Sequence, residues 1–292
     1  MQCVYCKWKA LRASRELDTA AVCAMIDQMR RAGVLLLSFT GGEPLLREDM
    51  GEIIRYVKRR GLVCKLNTNG ALVEARLDAL RALDILQISL DGMPSVQDGL
   101  RGAGTGETAL RAIRAARGAG IGVQVIACLT RANVAQLDEL LAFGVREGLA
   151  FCFQLLSAKT LAGPEAADSV PDRDALVAAL RRLYELKRTG DPAARAIGSS
   201  RGELAYYLDQ VANARRGCDC ALVTATMLPD GRLIFCGSAR DYETYDAVAL
   251  GFAEAFNRLS IPACDGCVCV GKLRLSKLYQ LDLSVIRELL RL

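Results

Sequence analysis

Two cysteines, Cys3 and Cys6, open the chain in a C-x2-C pair, and Cys220, Cys236, Cys264 and Cys267 stand near its end with Cys218 and Cys269 beside them. Thiolates are soft ligands that select zinc or iron–sulfur clusters. A zinc knuckle built on Cys3 and Cys6 needs a second pair nearby, and none follows closely in sequence. Cys23 and Cys64 fall inside a helical and a strand pattern, where a small apolar side chain suits a core. In the C-terminal group the turn Pro229-Asp230-Gly231 lies between apolar runs and reads as a hairpin that draws its flanking cysteines together. Four thiolates from separated segments suit either a tetrahedral structural zinc or a cluster.

A second set of residues carries no sulfur. Gly41-Gly42-Glu43-Pro44 follows an apolar run. Glycines there let backbone approach a ligand closely, and a neighbouring carboxylate can bind an ammonium group, although an ordinary turn closed by proline reads the same way. Ser89 and Asp91 end another apolar run, where turn chemistry is the plain alternative. Arg101 could clamp a carboxylate or stand as a solvated loop charge.

The composition narrows the chemistry. The 292 residues contain twelve cysteines and no histidine. Histidine ligands, a Ser-His-Asp triad and histidine acid–base catalysis are therefore excluded. Hydrophobic residues make up 52% of the chain, enough for a large core. No run is long enough to span a bilayer and no secretory signal is visible, so a cytoplasmic protein with reduced thiols and no membrane partner is expected. The net charge of +5 is modest and aromatics are 5%, so no nucleic-acid partner is expected. The phosphate-binding glycine fingerprint of nucleotide-dependent transferases is missing.

These residues need elements to position them. Apolar runs at Leu35–Thr40, Val63–Thr68, Ile85–Leu90, Gly122–Leu129 and Phe151–Leu156 read as five strands. Helical patterns at Glu48–Arg60, Glu74–Leu83, Glu107–Ala119 and Val134–Glu147 separate them, and Asp18–Ala32 precedes them. Such alternation predicts a parallel sheet with right-handed crossovers. The polar residues cluster just after the strands, the active face of βα folds. Beyond Ser157 come a loop at Lys159–Pro171, a helix at Asp172–Thr189 and a turn-rich connector at Gly190–Gly202.

Taken together, Val4-Tyr5 within the cysteine pair, Thr40 to Pro44, Asn67 to Gly70, Ile88 to Gly92 and Arg101-Gly102 resemble the radical S-adenosylmethionine (SAM) superfamily over residues 1 to 157. The resemblance implies an α/β fold, a partial (β/α)6 TIM-like barrel lacking its first strand. It implies a 4Fe–4S cluster held by three cysteines, with SAM chelated at the fourth iron and cleaved to a 5′-deoxyadenosyl radical that abstracts hydrogen. Cys3 and Cys6 would be two of the three ligands. In the family's C-x3-C-x2-C spacing the third falls two residues before Met1, so the chain reads as truncated at an internal methionine and short of one ligand. Gly41, Gly42 and Glu43 would meet the SAM amino group. Ser89 and Arg101 would take its carboxylate or ribose side, Asp91 would support the turn, Asn69 would join the pocket, and Leu155 and Leu156 would cover the adenine. No residue is assigned to catalysis itself.

The C-terminal cysteines resemble the SPASM and twitch extensions of the same superfamily. Nothing continues the cysteine run past Cys269, so one auxiliary 4Fe–4S cluster of the twitch kind is implied, on Cys220, Cys236, Cys264 and Cys267 with Cys218 and Cys269 as alternates. The expected division is 1–157 for the barrel, 158–216 for a helical connector and 217–292 for the small cysteine-rich domain. The implied partners are a peptide or small-molecule substrate and a low-potential electron donor such as a flavodoxin or ferredoxin. The competing reading is a non-catalytic zinc-binding or decayed-barrel scaffold.

Overall fold

The computed structural model describes residues 3–6, 15–156, 164–213, 223–236 and 243–260, with the single positions 269, 273, 275, 281 and 283. Five parallel strands run in sequence order: β1 (Leu36–Phe39), β2 (Val63–Thr68), β3 (Ile85–Ser89), β4 (Val123–Leu129) and β5 (Phe151–Leu155). The sheet curls into a half-barrel. Every strand expected from the sequence is present within a residue or two of its bounds. Ile197 adds one parallel bridge beyond β5, to Phe151.

The helices follow from the same periodicity. They are α1 (Thr19–Arg31), α2 (Met50–Arg59), α3 (Leu77–Leu80), α4 (Pro94–Arg101), α5 (Thr105–Gly118), α6 (Leu137–Glu147), α7 (Arg173–Thr189) and α8 (Arg201–Asn213). Asp18 caps α1 by accepting from the Ala21 N–H at 2.8 Å. Gly148 and Gly190 close α6 and α7 in the left-handed region, as C-terminal glycines do.

Alternate residues of each strand point to opposite faces. Cys64, Leu66, Leu86, Ile88, Val125, Ala127, Phe151, Phe153 and Leu155 join the helices in one continuous core. Phe151 and Phe153 stack there with ring centroids 6.1 Å apart. The opposite parity faces the inside of the curl and mixes apolar residues such as Ile85 and Ile126 with polar ones. Asn67, Gln87 and Gln124 stand in register across β2, β3 and β4, and Gln87 Nε2 donates to Gln124 Oε1 at 2.5 Å.

Two elements differ from expectation. The segment holding Arg101, readable as a loop, is the helix α4, begun by Pro94 at its first turn. The stretch read as turn-rich through Gly202 already contains the start of α8, whose Ser200 and Glu203 form a reciprocal cap. Glu203 Oε2 accepts from the Ser200 N–H at 2.6 Å, and Ser200 Oγ accepts from the Glu203 N–H at 3.2 Å.

The Pro229-Asp230-Gly231 turn is a hairpin turn. It joins β6 (Thr226–Met227) to β7 (Arg232–Ile234), and β8 (Tyr245–Asp246) completes a three-stranded antiparallel sheet. Leu233 of this sheet packs with Met25 and Met29 of α1, and with Phe252 and Ala255 of α10 (Phe252–Asn257), which follows α9 (Ala247–Leu250). No helix among the described residues is long and apolar enough to cross a membrane.

Two buried thiols make the core's pH behaviour predictable. Burial, reinforced by Asp84 and opposed by Lys58, pushes Cys64 up to about 12. Burial, reinforced by Asp91, pushes Cys128 up to about 12. An unfolded chain releases such protons near ~8.5. Above that pH the folded state binds more protons than the unfolded one, so stability falls as pH rises. The contribution is complete below ~8.5 and is lost on the way to 12. Thermal unfolding followed from pH 8 to 10.5 should show a falling Tm, steeper than in a Cys64→Ala, Cys128→Ala double variant.

Candidate active site at the strand ends

Chain segments far apart in sequence meet at the carboxyl ends of the strands. Cys3-Val4-Tyr5-Cys6 forms a tight turn, closed by the Cys6 N–H donating to the Cys3 carbonyl at 3.2 Å. The turn docks on the end of α4, where the Val4 N–H donates to the Leu100 carbonyl at 3.0 Å. Tyr5 is buried among Leu100, Cys128, Leu156 and Ala166, while Cys3 and Cys6 stay half-buried with free thiols.

Under this turn lies a buried polar network centred on Asp91, which is fully enclosed. Its carboxylate accepts from Arg101 Nε at 2.7 Å, Arg101 Nη2 at 3.1 Å and the Cys128 N–H at 3.0 Å, and from the Tyr5 hydroxyl. Arg101 Nη2 also donates to the Tyr5 oxygen at 2.8 Å, and Nη1 reaches the Cys3 Sγ at 3.5 Å. The Asp91 backbone is held too. Its N–H donates to Gln97 Oε1 at 2.8 Å, and its carbonyl accepts from Asn133 Nδ2 at 2.5 Å. Burial and the adjacent Asp91 push the Tyr5 hydroxyl well above its ordinary value. Burial works against the charge on Arg101, but Asp91 and Tyr5 outweigh it and hold the guanidinium protonated. Burial raises the Cys3 thiol, and Arg101 partly offsets this.

Arg101 is therefore neither a solvated charge nor a free clamp. At 7% exposure it is committed to Asp91, Tyr5 and Cys3. Asp91 has more partners than a turn residue needs.

Glu43 organises the second part of the site. Its carboxylate accepts from Thr68 Oγ1 at 2.8 Å, the Asn69 N–H at 2.9 Å and the Leu45 N–H at 3.1 Å. It thus ties the loop after β1 to the end of β2. Three donors occupy an anion that offers about four acceptor positions. Gly41 takes a φ of +122°, which favours glycine, and neither Gly41 nor Gly42 has another atom within 4 Å of the point a Cβ would occupy. Open space therefore borders their backbone. Asn69 closes a local turn, its Oδ1 accepting from the Ala71 N–H at 2.8 Å. Gly70 closes the turn at φ +90°, where a Cβ would lie 3.1 Å from Ala112 of α5. Replacing Glu43 by alanine leaves three donors without their acceptor, and should destabilise the protein by about 1–3 kcal/mol in a denaturant titration. Glutamine, which keeps one carbonyl acceptor, should cost less.

Ser89 ends β3 half-exposed on the inward parity, and its carbonyl accepts from Gln97 Nε2 at 3.3 Å. Leu155 lies on the opposite parity, in the core under the helices. Leu156, by contrast, packs with Tyr5 beside the cysteine turn. Tyr5, Gln97, Cys128 and Asn133 form the network that sequence reasoning left without roles. The available signals were a tyrosine inside a C-x2-C pair and polar side chains in otherwise apolar segments.

Of the C-terminal cysteines, Cys218, Cys220, Cys264 and Cys267 lie outside the described residues. Cys236 stands half-buried after β7, and Cys269 packs against the main core. Among the described residues no group of three or more metal-ligating side chains converges. Cys3 and Cys6 nevertheless fit two corners of a cluster. They are two free, half-buried thiols on one tight turn at the open strand ends, with a guanidinium beside one of them.

Comparison with known proteins agrees with this geometry. Residues 1–144 match the family model described as the radical SAM superfamily. The mycofactocin maturase MftC of Mycobacterium tuberculosis strain H37Rv is 37% identical over 155 residues, covering 51% of this chain and 39% of that protein. The PqqA peptide cyclase of Gluconobacter oxydans is 30% identical over 251 residues, covering 82% of this chain and 67% of that protein. The chain thus spans only about two fifths of the mycofactocin maturase and two thirds of the cyclase. Streptococcus suis SuiB bound to precursor peptide SuiA superposes with a TM-score of 0.68 at 18% identity, covering 89% of this chain and 62% of that chain. A half-barrel with a cysteine turn over its strand ends, matched by the family model and by a relative along most of its length, places the chain in the radical SAM superfamily.

Proposed function

We propose that this chain is the core of a radical SAM maturase that modifies a peptide. The observation that carries the reading is the cysteine turn, anchored by Tyr5 and Arg101 at the strand ends, where the open backbone of Gly41 and Gly42 follows β1. Cys3 and Cys6 would hold a 4Fe–4S cluster there. With SAM bound, that cluster would supply a 5′-deoxyadenosyl radical for hydrogen abstraction.

The chain's own residues would bind, orient and shield. The Gly41–Glu43 backbone and the remaining acceptor capacity of Glu43 suit the SAM ammonium. Ser89 suits the carboxylate or ribose side. Asn69 would act by fixing its turn, and Asp91 and Arg101 by positioning the cysteine turn. Cover of the adenine falls to Leu156, since Leu155 is taken up by the core.

The substrate side of the reading rests on the inner wall. Asn67, Gln87 and Gln124 line up across three strands, and the buried Asn67 Oδ1 has no partner among the described residues. Gln87 and Gln124 are bonded to each other, so the acceptor this wall leaves for a peptide N–H is the Asn67 Oδ1. The named relatives point the same way, being a peptide cyclase, a maturase and a protein solved with a precursor peptide. One auxiliary 4Fe–4S cluster on Cys220, Cys236, Cys264 and Cys267, a flavodoxin or ferredoxin as donor, and a cytoplasmic location complete the proposal.

The test is incubation of the anaerobically reconstituted full-length protein with SAM, a low-potential reductant and the peptide encoded by a short reading frame beside its gene. Mass spectrometry should show a peptide mass changed by hydrogen loss or by a group lost with it. An unchanged peptide, with turnover of small alcohols or sugars in its place, would contradict the peptide assignment.

A further inference from the structure

We propose that Arg101 is a positioning residue that grips the Cys3 sulfur and sets the electronic environment of the metal group this thiolate holds. The proposal rests on reading Cys3 and Cys6 as cluster ligands.

Arg101 spends its rigid fork of donors on three partners. Nε and Nη2 are fixed on Asp91, Nη2 also meets Tyr5, and this leaves Nη1 aimed at the Cys3 Sγ, 3.5 Å away. The side chain cannot swing elsewhere, because Asp91 is fully enclosed and Arg101 nearly so. The adjoining residue, Leu100, accepts the Val4 N–H from the same turn at 3.0 Å. The last two residues of α4 therefore clamp the cysteine turn at both its backbone and its sulfur. The Arg101 and Asp91 charges balance each other, so the sulfur meets a directed N–H within a neutral pair. Hydrogen bonds to ligating sulfurs, together with burial, are what set cluster potentials, and such a donor stabilises the reduced, more negative state. Lysine cannot take over this role, since a single ammonium cannot hold Asp91 bidentately and still reach the sulfur.

The experiment compares wild type, Arg101→Lys and Arg101→Gln as full-length holoenzymes without SAM, by redox titration followed by electron paramagnetic resonance. The expected result is a midpoint shifted to more negative potential and altered g-values in both variants, at wild-type iron and sulfide content. Arg101→Lys keeps a cation beside Asp91, so it serves where Arg101→Gln folds poorly. An unchanged midpoint and spectrum at full loading would overturn the proposal. A second arm needs no cluster. In the metal-free proteins, amide exchange at Val4 should quicken by about 10-fold or more in either variant, in line with loss of a charge-assisted bond. Unchanged exchange there would overturn the clamp. A wild-type protein that takes up no iron but shows this exchange effect would count against the cluster reading alone, and leave the Arg101 clamp standing.

Discussion

Replacing Asp91 by alanine is expected to destabilise the protein by about 3–5 kcal/mol, the cost of leaving a buried cation without its partner. The side chains of Arg101 and Asp91 are 8% and 0% exposed, so water cannot take over for the lost carboxylate. The damage would not stop at the guanidinium. The Cys128 N–H and the Tyr5 hydroxyl lose their acceptor as well. Denaturant unfolding measures the loss directly. A double variant, Asp91→Leu with Arg101→Met, should be more stable than Asp91→Ala alone, because it removes both charges together and not one of them. If the double variant were the less stable of the two, the unpaired guanidinium would not be the source of the damage. The two positions separate fold from chemistry. The double variant should recover stability without recovering any function that depends on the Cys3 turn.

The second large effect is on cofactor binding. Cys6→Ser, and separately Cys3→Ser, should each abolish stable iron–sulfur loading. The loss should exceed the roughly 10–100-fold that removal of an outer-shell partner costs, since on the proposed reading each variant removes a ligand itself. Cys23→Ser is the control. Cys23 lies in α1, away from the turn, so its variant should load like wild type. Iron and sulfide analysis with the near-ultraviolet and visible absorption of the reconstituted proteins would decide. Equal loading in Cys6→Ser and wild type would remove Cys6 from the ligand set. Only the thiols on the anchored turn should matter for this signal, which is why the comparison with Cys23 is informative.

The half-barrel was legible because its signals are local. Short apolar runs bounded by glycines and separated by helical periods specify a parallel βα sheet, and all five strands appear in the order that rule requires. The helix carrying Arg101 was hidden by its brevity and polarity. Pro94 opens it, Asp98-Gly99 interrupts its apolar pattern, and its eight residues give periodicity little to work with. The start of α8 did carry a usable signal, the Ser200-x-x-Glu203 cap, inside a stretch otherwise rich in turn formers.

The site divides along the same line. Glu43 could be named from its motif, but its task of tying β1 to β2 joins residues about 25 positions apart and needs three dimensions to see. The Asp91 network is less local still, since Tyr5 and Arg101 meet across a separation of 96 residues. No periodicity encodes a contact of that kind. Leu155 and Leu156 show how little separates two readings. Strand alternation buries one of them under the helices and leaves the next beside the cysteine turn.

That this fold positions a cluster and SAM for homolytic cleavage is tested most directly by quantifying 5′-deoxyadenosine. The sample is the protein reconstituted without oxygen, on addition of SAM and a low-potential reductant. The expected result is 5′-deoxyadenosine in amounts that depend on Cys3, Cys6 and the reductant. Full iron and sulfide occupancy without 5′-deoxyadenosine would contradict the claim, as would purified protein that holds zinc and no iron.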